Sequence, residues 1–362
     1  MRKLATVRVI KDIEPIPDAD KIVKLTVDGW HVVASKTDGF KIGDLVVYIE
    51  IDSVMPEKPE YEFLRSRKFR VRTIILRGQI SQGLVLPLAI LPQDKKWKVG
   101  DDVTDILGVT KYDPELEQEN KVTENQGKKK PKNPIVKWLC RFKWFRNWYY
   151  PPKISCKFPD WIKKTDEERI QNVPHIFDFI KKNNISLSVT EKVDGTSATF
   201  FLKKQPKKNE FGVCSRNRRL VTEDDSYYWT VARNYKIKET LEKLIGDHEW
   251  IVLQGEITGQ GIQGNKYPID KGYKLWAFNL ITPEKRYSTE EMQPILGEYG
   301  IMTVPIVNSD FKLPDTIDDL VEYVQGSSQI VQREREGCIF RNEEKKISFK
   351  CINPKFLLKN DG

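Results

Sequence analysis

Residues 111–134, KYDPELEQENKVTENQGKKKPKNP, constrain the fold more than any other stretch of this chain. They carry so few apolar side chains that they cannot bury enough surface to offset the entropy of ordering. They also separate two blocks of different periodicity, and 362 residues are too many for one ordinary core. The expected organisation is multidomain: residues 1–108, a charged linker over 109–156, and a second domain over 157–362.

Before the break, the apolar runs LATVRVI, KIVKLTV, HVVASK, DLVVYIEI and FRVRTIIL alternate with the turn formers DGW, DGFKIGD and RGQISQG. About five strands in so short a block predict an all-β domain, with an OB-fold-like barrel as the leading candidate. An SH3-like barrel or a small sandwich gives a similar pattern. After the break the chain reads as α+β. Thr165 and Glu168 have the spacing of a capping box and predict a helix over KTDEERIQNV. Helical spacing resumes after Pro174 in HIFDFIKKN, and further helices are expected in YYWTVARNYKIKETLEKLIG and IDDLVEYVQ. Between them lie the strand-like runs SLSVTEKV, SATFFLKK, FGVCSR, WIVLQGEI, YKLWAFNL, GCIFRN and KISFKCI.

Within the linker, Trp138, Phe142, Phe145 and Tyr149 recur at helical spacing, with Arg141, Lys143 and Arg146 between them. An amphipathic helix docking its aromatic stripe on a neighbouring domain, a nucleic-acid contact and adhesion to a membrane surface all fit this pattern. A formal charge of +9 favours a polyanionic partner. Five cysteines without CxxC spacing and three well-separated histidines suggest no zinc cluster. They read as reduced thiols of a soluble, intracellular, cytoplasmic protein. The N-terminus lacks the apolar core of a signal peptide, and no run has transmembrane length.

The chemistry concentrates around SVTEKVDGTSATFFLKK. In a strand, Thr190, Lys192 and Asp194 share one face, and Gly195 permits a tight turn with close backbone approach to a ligand. A lysine amine near its reference pKa of about 10.4 is neutral only about one time in a thousand near neutral pH. Lys192 can therefore act as a nucleophile only where its surroundings favour the neutral amine. A carboxylate two positions away works against that, unless a divalent cation occupies it. Further acids stand at strand ends: Glu256 in LQGEITGQGIQGNKY and Glu336 in REREGCIFR. Lys350 follows Glu336 by fourteen positions, Trp276 and Phe278 offer aromatic faces, and Arg216 lies in the basic turn SRNRR. Gln263, Asn265 and Tyr267 read equally as loop-stabilising residues and stay outside the candidate site.

In this order the residues resemble the five motifs of the covalent nucleotidyltransferases, the superfamily of polynucleotide ligases and capping enzymes. Lys192–Gly195 resembles motif I and Glu256 the acid of motif III. Trp276–Phe278 resembles motif IIIa, Glu336–Gly337 motif IV and Lys350 motif V. KTDEERIQN, SRN, GEITGQGIQGNKY, SFKCINPKFLLK and, in the first domain, RGQISQGLVLPL are most similar to ATP-dependent RNA ligases with an N-terminal OB-fold domain.

The resemblance implies an α+β nucleotidyltransferase (ATP-grasp-like ligase) domain behind the barrel, ATP as cosubstrate, and Mg2+ or Mn2+. It implies that Lys192 takes AMP from ATP, passes it to an RNA 5′-phosphate, and that an RNA 3′-hydroxyl then displaces AMP, in nick sealing or RNA repair. Catalytic roles fall to Lys192, Asp194, Glu256, Glu336 and Lys350. Nucleotide contacts fall to Glu191, Lys192, Gly195, Arg216, Phe278 and Lys350, with Trp276 as the alternative stacking face. The metal falls to Asp194, Glu256 and Glu336, through bound water. A monomer acting on RNA ends in a nicked duplex is expected. Two features depart from the pattern: Ile352 stands where many relatives place a second motif V lysine, and Asn279 stands where motif IIIa often ends in an acid.

A DNA ligase or a capping enzyme is the alternative within the superfamily, but those usually place the OB domain after motif V, and here it comes first. A non-catalytic nucleic-acid-binding module is the alternative outside it, and would be expected to lack the lysine or two of the carboxylates.

Overall fold

The computed structural model describes residues 3–112, 155–221, 223–269 and 271–360. The aromatic stripe of Trp138 to Tyr149, and most of the expected linker, lie outside the described residues. The chain divides into two compact units. One comprises residues 1–132 with two later pieces, 170–175 and 354–362; the other comprises 133–169 and 176–353.

The first unit is built on strands β1 (Ala5–Pro15), β2 (Ile22–Val27), β3 (Trp30–Ser35) and β4 (Leu45–Ile49). β5 (Thr73–Leu76), β6 (Gln79–Gln82) and β7 (Leu84–Pro87) follow. The main sheet has the order β3-β2-β1-β4-β7. Alternation along β4 serves both faces: Val46 and Tyr48 pack with Ile10, Leu25 and Trp30, while Val47 and Ile49 pack with Val7, Met55 and Leu64. FRVRTIIL does not supply the fifth strand. Arg77 and Gly78 both have positive φ, so the chain turns straight back and β5 pairs with β6 in a separate hairpin.

The later pieces are fastened into this unit by named contacts. Trp30 Nε1 donates to Asn172 Oδ1 at 2.7 Å, and Asn172 Nδ2 donates to Glu50 Oε1 at 2.5 Å. Trp30 and Glu50 are both buried. The terminal helix Pro354–Asn360 packs against β5.

Among the described residues, the second unit holds two sheets. Its strands are β8 (Ser155–Lys157), β9 (Leu187–Glu191), β10 (Thr196–Lys203), β11 (Glu210–Cys214), β12 (Arg218–Leu220) and β13 (Trp250–Gly259). They continue with β14 (Tyr273–Ile281), β15 (Met302–Thr303), β16 (Ile306–Phe311), β17 (Gly337–Asn342) and β18 (Ile347–Ile352). The seven-stranded sheet has the order β8-β12-β11-β10-β13-β14-β15, and the four-stranded sheet β16-β9-β17-β18.

On the larger sheet, Ala198, Phe200, Leu202, Ile251, Leu253 and Ile257 face the helices Tyr227–Asn234, Ile237–Leu244 and Thr289–Gly297. The alternate positions, Glu256 among them, face the other way. The run YYWTVARNYKIKETLEKLIG forms two helices rather than one, because Lys236 takes a left-handed conformation (φ 49°) between them. IDDLVEYVQ is helical over Ile317–Tyr323 and HIFDFIKKN over Pro174–Lys182, with Pro174 opening that helix.

The expected helix over KTDEERIQNV is absent; only Ile170–Asn172 forms a 3-10 turn. Thr165 spends its hydroxyl on Ser197 Oγ, 2.9 Å away, instead of capping. Asp166 and Glu167 are drawn to Arg216, Lys350 and Arg341, and these tertiary partners outweigh the local capping signal.

Replacing Asn172 by Ala removes both hydrogen bonds beside buried Trp30 and Glu50. It should destabilise the first unit by about 2 kcal/mol in chemical denaturation, whereas an unchanged midpoint would mean that the later piece is only loosely held.

Candidate active site

Strand β9 ends at Glu191, and the chain then runs through Lys192, Val193 and Asp194 to the turn at Gly195. Lys192 N–H donates to Gly337 O at 3.0 Å, which brings the start of β17 beside the nucleophile candidate. That tie places Glu336 against the Lys192 side chain, whose Nζ donates to both carboxylate oxygens at 2.8 and 2.7 Å. From the larger sheet, Glu256 reaches the turn and accepts from Gly195 N–H at 3.2 Å. A Cβ at Gly195 would stand 2.3 Å from Ile257 O, so glycine is the residue that permits this approach.

Asp194 accepts an ion pair from Lys266, and its backbone N–H donates to Tyr267 Oη at 3.0 Å. Lys192, Asp194, Glu256 and Glu336 are thus brought together, as the sequence leads one to expect. Lys266, unforeseen, and Tyr267, weighed and left outside the candidate site, join them. Their signal is their place in GNKY, seven and eight positions beyond the end of a strand.

Charge dominates this cluster. Burial pulls the Lys192 ammonium down, but Glu336, Glu256 and Asp194 more than offset it, and its pKa lies above the ordinary lysine value. Burial pushes Glu256 up to about 8; Lys192 opposes this, while Glu336 and Asp194 add to it. Burial likewise raises Glu336, against the pull of Lys192. These surroundings therefore favour the charged form of Lys192. The donor set is all carboxylate oxygen, the chemistry that suits Mg2+ or Mn2+. Among the described residues, however, no three His, Cys, Asp or Glu side chains close on one point as a cage does. Converging charge without a cage fits a cation that keeps its water shell.

The remaining candidates surround the cluster. Glu191, on the opposite face of β9, is buried; its Oε2 accepts from Gln329 N–H at 2.7 Å, and its Oε1 accepts no hydrogen bond from the described residues. Phe278 is half-buried in an apolar cluster with Val193, Tyr267, Trp276 and Val304. Trp276 is buried and donates Nε1–H to Thr258 Oγ1, so Phe278 has the more accessible ring. Asn279 is also accounted for: its Nδ2 donates to Gln254 Oε1 at 2.7 Å inside the sheet, where an acid would be costly.

Arg216 pairs with Asp166 at 2.6 Å, and its charge is felt at Glu256. Lys350, on β18, is buried with Nζ 3.9 Å from the same Asp166 oxygen. The residues after Asp166 are fixed as well. Glu167 pairs with Arg341 at 3.0 Å, and Glu168 O accepts from Lys350 N–H at 2.8 Å. Burial raises the Glu167 carboxyl, but Arg341 and Arg286 outweigh it and hold its pKa below the usual range. Burial also depresses Arg341, yet a guanidinium starts so high that it stays charged, so the pH dependence of the pair rests with Glu167.

Comparison with known proteins agrees with this architecture. An OB-fold domain family matches residues 4–88, and the RNA ligase family matches residues 185–359. Solved structures of Naegleria gruberi RNA ligase are similar along the whole chain. The ligase with PPi is 33% identical, covering 100% of this chain and 99% of that one, with a TM-score of 0.79. A lysine mutant with AMP and Mn is 32% identical, covering 99% of each, with a TM-score of 0.79. An aspartate mutant without ligand is 33% identical, covering 99% of this chain and 98% of that one, with a TM-score of 0.80. The substituted lysine and aspartate of that ligase stand two positions apart, and a substituted glutamate and second lysine fourteen apart. No curated protein matches by sequence. Among the described residues, no helix is long and apolar enough to cross a membrane.

A depressed carboxylate contributes stability above its unfolded pKa and loses it as pH falls through the folded value. Glu167→Gln should therefore cost about 3 kcal/mol near neutral pH. The gap to wild type should narrow as the pH falls below about 4.5, the ordinary Glu value. Urea melts over a pH series measure this, and a gap independent of pH would refute the ion-pair account.

Proposed function

The chain belongs to the RNA ligase family, and from that membership we propose that it is an ATP-dependent RNA ligase whose own residues divide the work as follows. Lys192 attacks the α-phosphate of ATP and forms lysyl-AMP with release of pyrophosphate. The AMP passes to an RNA 5′-phosphate, and an RNA 3′-hydroxyl displaces it to close the phosphodiester. The observation that carries the proposal is the Lys192 ammonium held among Glu336, Glu256 and Asp194. The two-residue and fourteen-residue spacings in the Naegleria ligase, matched here by Lys192 with Asp194 and Glu336 with Lys350, support it.

In this reading Asp194, Glu256 and Glu336 hold a hydrated Mg2+ or Mn2+, whose charge offsets the phosphates and favours the neutral lysine amine. Lys350 steadies the charge that develops at the α-phosphate. Arg216 contacts phosphate or ribose, Phe278 stacks on adenine, and Gly195 lets the nucleotide approach the backbone. Glu191 contributes the open acceptor Oε1 to the nucleotide. The N-terminal domain over 1–108 and the charged segment over 109–156 grip the RNA backbone, and 157–362 carries out the chemistry. The proposal takes the protein as a monomer in the cytoplasm acting on nicked duplex; Cys156, Cys214, Cys338 and Cys351, all free, support a reducing compartment.

The test is sealing of a nicked RNA duplex carrying a labelled 5′-phosphate, with ATP and Mg2+ or Mn2+. Wild type should join the ends, Lys192→Ala should give no product, and Lys350→Ala should slow joining at least about 100-fold, the scale of losing a stabilising donor. Full sealing by Lys192→Ala would overturn the assignment of the nucleophile.

A further inference from the structure

Asp166 has no place in the scheme above, yet it stands between two of its cations. Its Oδ1 lies 2.6 Å from Arg216 Nη2 and 3.9 Å from Lys350 Nζ. The two cations come from separate strands, Arg216 from the turn between β11 and β12 and Lys350 from β18. Two convergent cations on one oxygen form the geometry of an anion site, and here the anion belongs to the chain itself.

The backbone holds it in place from both sides. Thr165 is bonded to Ser197, Glu167 is paired with Arg341, and Glu168 O receives Lys350 N–H. The carboxylate is thus presented to the cations by its neighbours rather than by its own ion pair. The pair itself is soft: the Asp166 and Arg216 side chains are 39% and 40% exposed, so exchanging one partner for another costs little.

We propose that Asp166 is an internal stand-in for the nucleotide phosphate, occupying Arg216 and Lys350 in the empty enzyme and competing with the phosphate that replaces it. The inference rests on the reading of Arg216 and Lys350 as phosphate contacts. A carboxylate and a phosphate offer a guanidinium similar acceptor oxygens. A phosphate arriving while Asp166 remains meets a like charge at short range, so the affinity of the site for the phosphate is lowered. The device keeps the two cations neutralised between turnovers and favours release of AMP after the phosphodiester closes.

The experiment uses the full-length Lys192→Ala protein, which cannot form the covalent intermediate, with and without Asp166→Asn. AMP is titrated calorimetrically into each, and adenosine, which lacks the phosphate, in parallel. Removing the carboxylate should tighten AMP about two- to fivefold and leave adenosine unchanged, and Arg216→Gln should abolish the gain. Melting curves check folding, and Asp166→Ser, which also removes the charge, should give the same ordering. Unchanged or weaker AMP binding, or an equal shift for adenosine, would overturn the role of Asp166 alone. If Lys192→Ala binds neither AMP nor ATP, the nucleotide site falls, and the Asp166 proposal with it.

Discussion

The ion pair between Lys192 and Glu336 is the interaction on which the rest of the second unit depends. It joins the end of β9 to the start of β17, next to the backbone bond from Lys192 N–H to Gly337 O. Both partners sit beside Glu256 and Asp194, so the pair forms the positive centre of an acidic cluster. Burying one ammonium among three carboxylates is expensive unless other charges compensate. Lys266 supplies part of that compensation through Asp194. Burial holds Glu256 at a pKa of about 8, which supplies another part by keeping it readily protonated. The arrangement holds Lys192 as an ammonium in a buried salt.

The same economy governs the segment 165–169. Asp166 pairs with Arg216 and lies near Lys350, Glu167 pairs with Arg341, and the backbone runs beside Lys350. The stretch whose spacing marks a helical turn runs instead beside the strand that carries Lys350. Glu167 is the deepest of these anchors, with its side chain 14% exposed, whereas Asp166 is left close to water. That difference in depth separates an anchor from a residue able to exchange partners.

Much of this was legible in the sequence, for a physical reason. Glu336 and Lys350 lie at facing ends of a β-hairpin, and Lys192 and Asp194 flank a strand end, so short-range spacing fixes where they stand. The alternation of β4 and β10 likewise follows from two-residue periodicity. Lys266 and Asp166 were not legible, and Tyr267 could not be told from a loop-stabilising residue, because their partners lie 72, 50 and 73 positions away and only the folded sheets bring them together. The capping-box spacing of Thr165 and Glu168 misled for the same reason: a local preference worth about 1 kcal/mol gives way to several tertiary partners. The break at Lys236 carried no glycine or proline to mark it.

The most direct test of the account is to incubate the protein with ATP labelled at the α-phosphate, digest it, and locate the adduct by mass spectrometry. The account predicts one AMP, in phosphoramide linkage to the Nζ of Lys192, and none in Lys192→Ala. Folded protein that is not already adenylylated and acquires no AMP, or AMP found on another lysine such as Lys266, would contradict it.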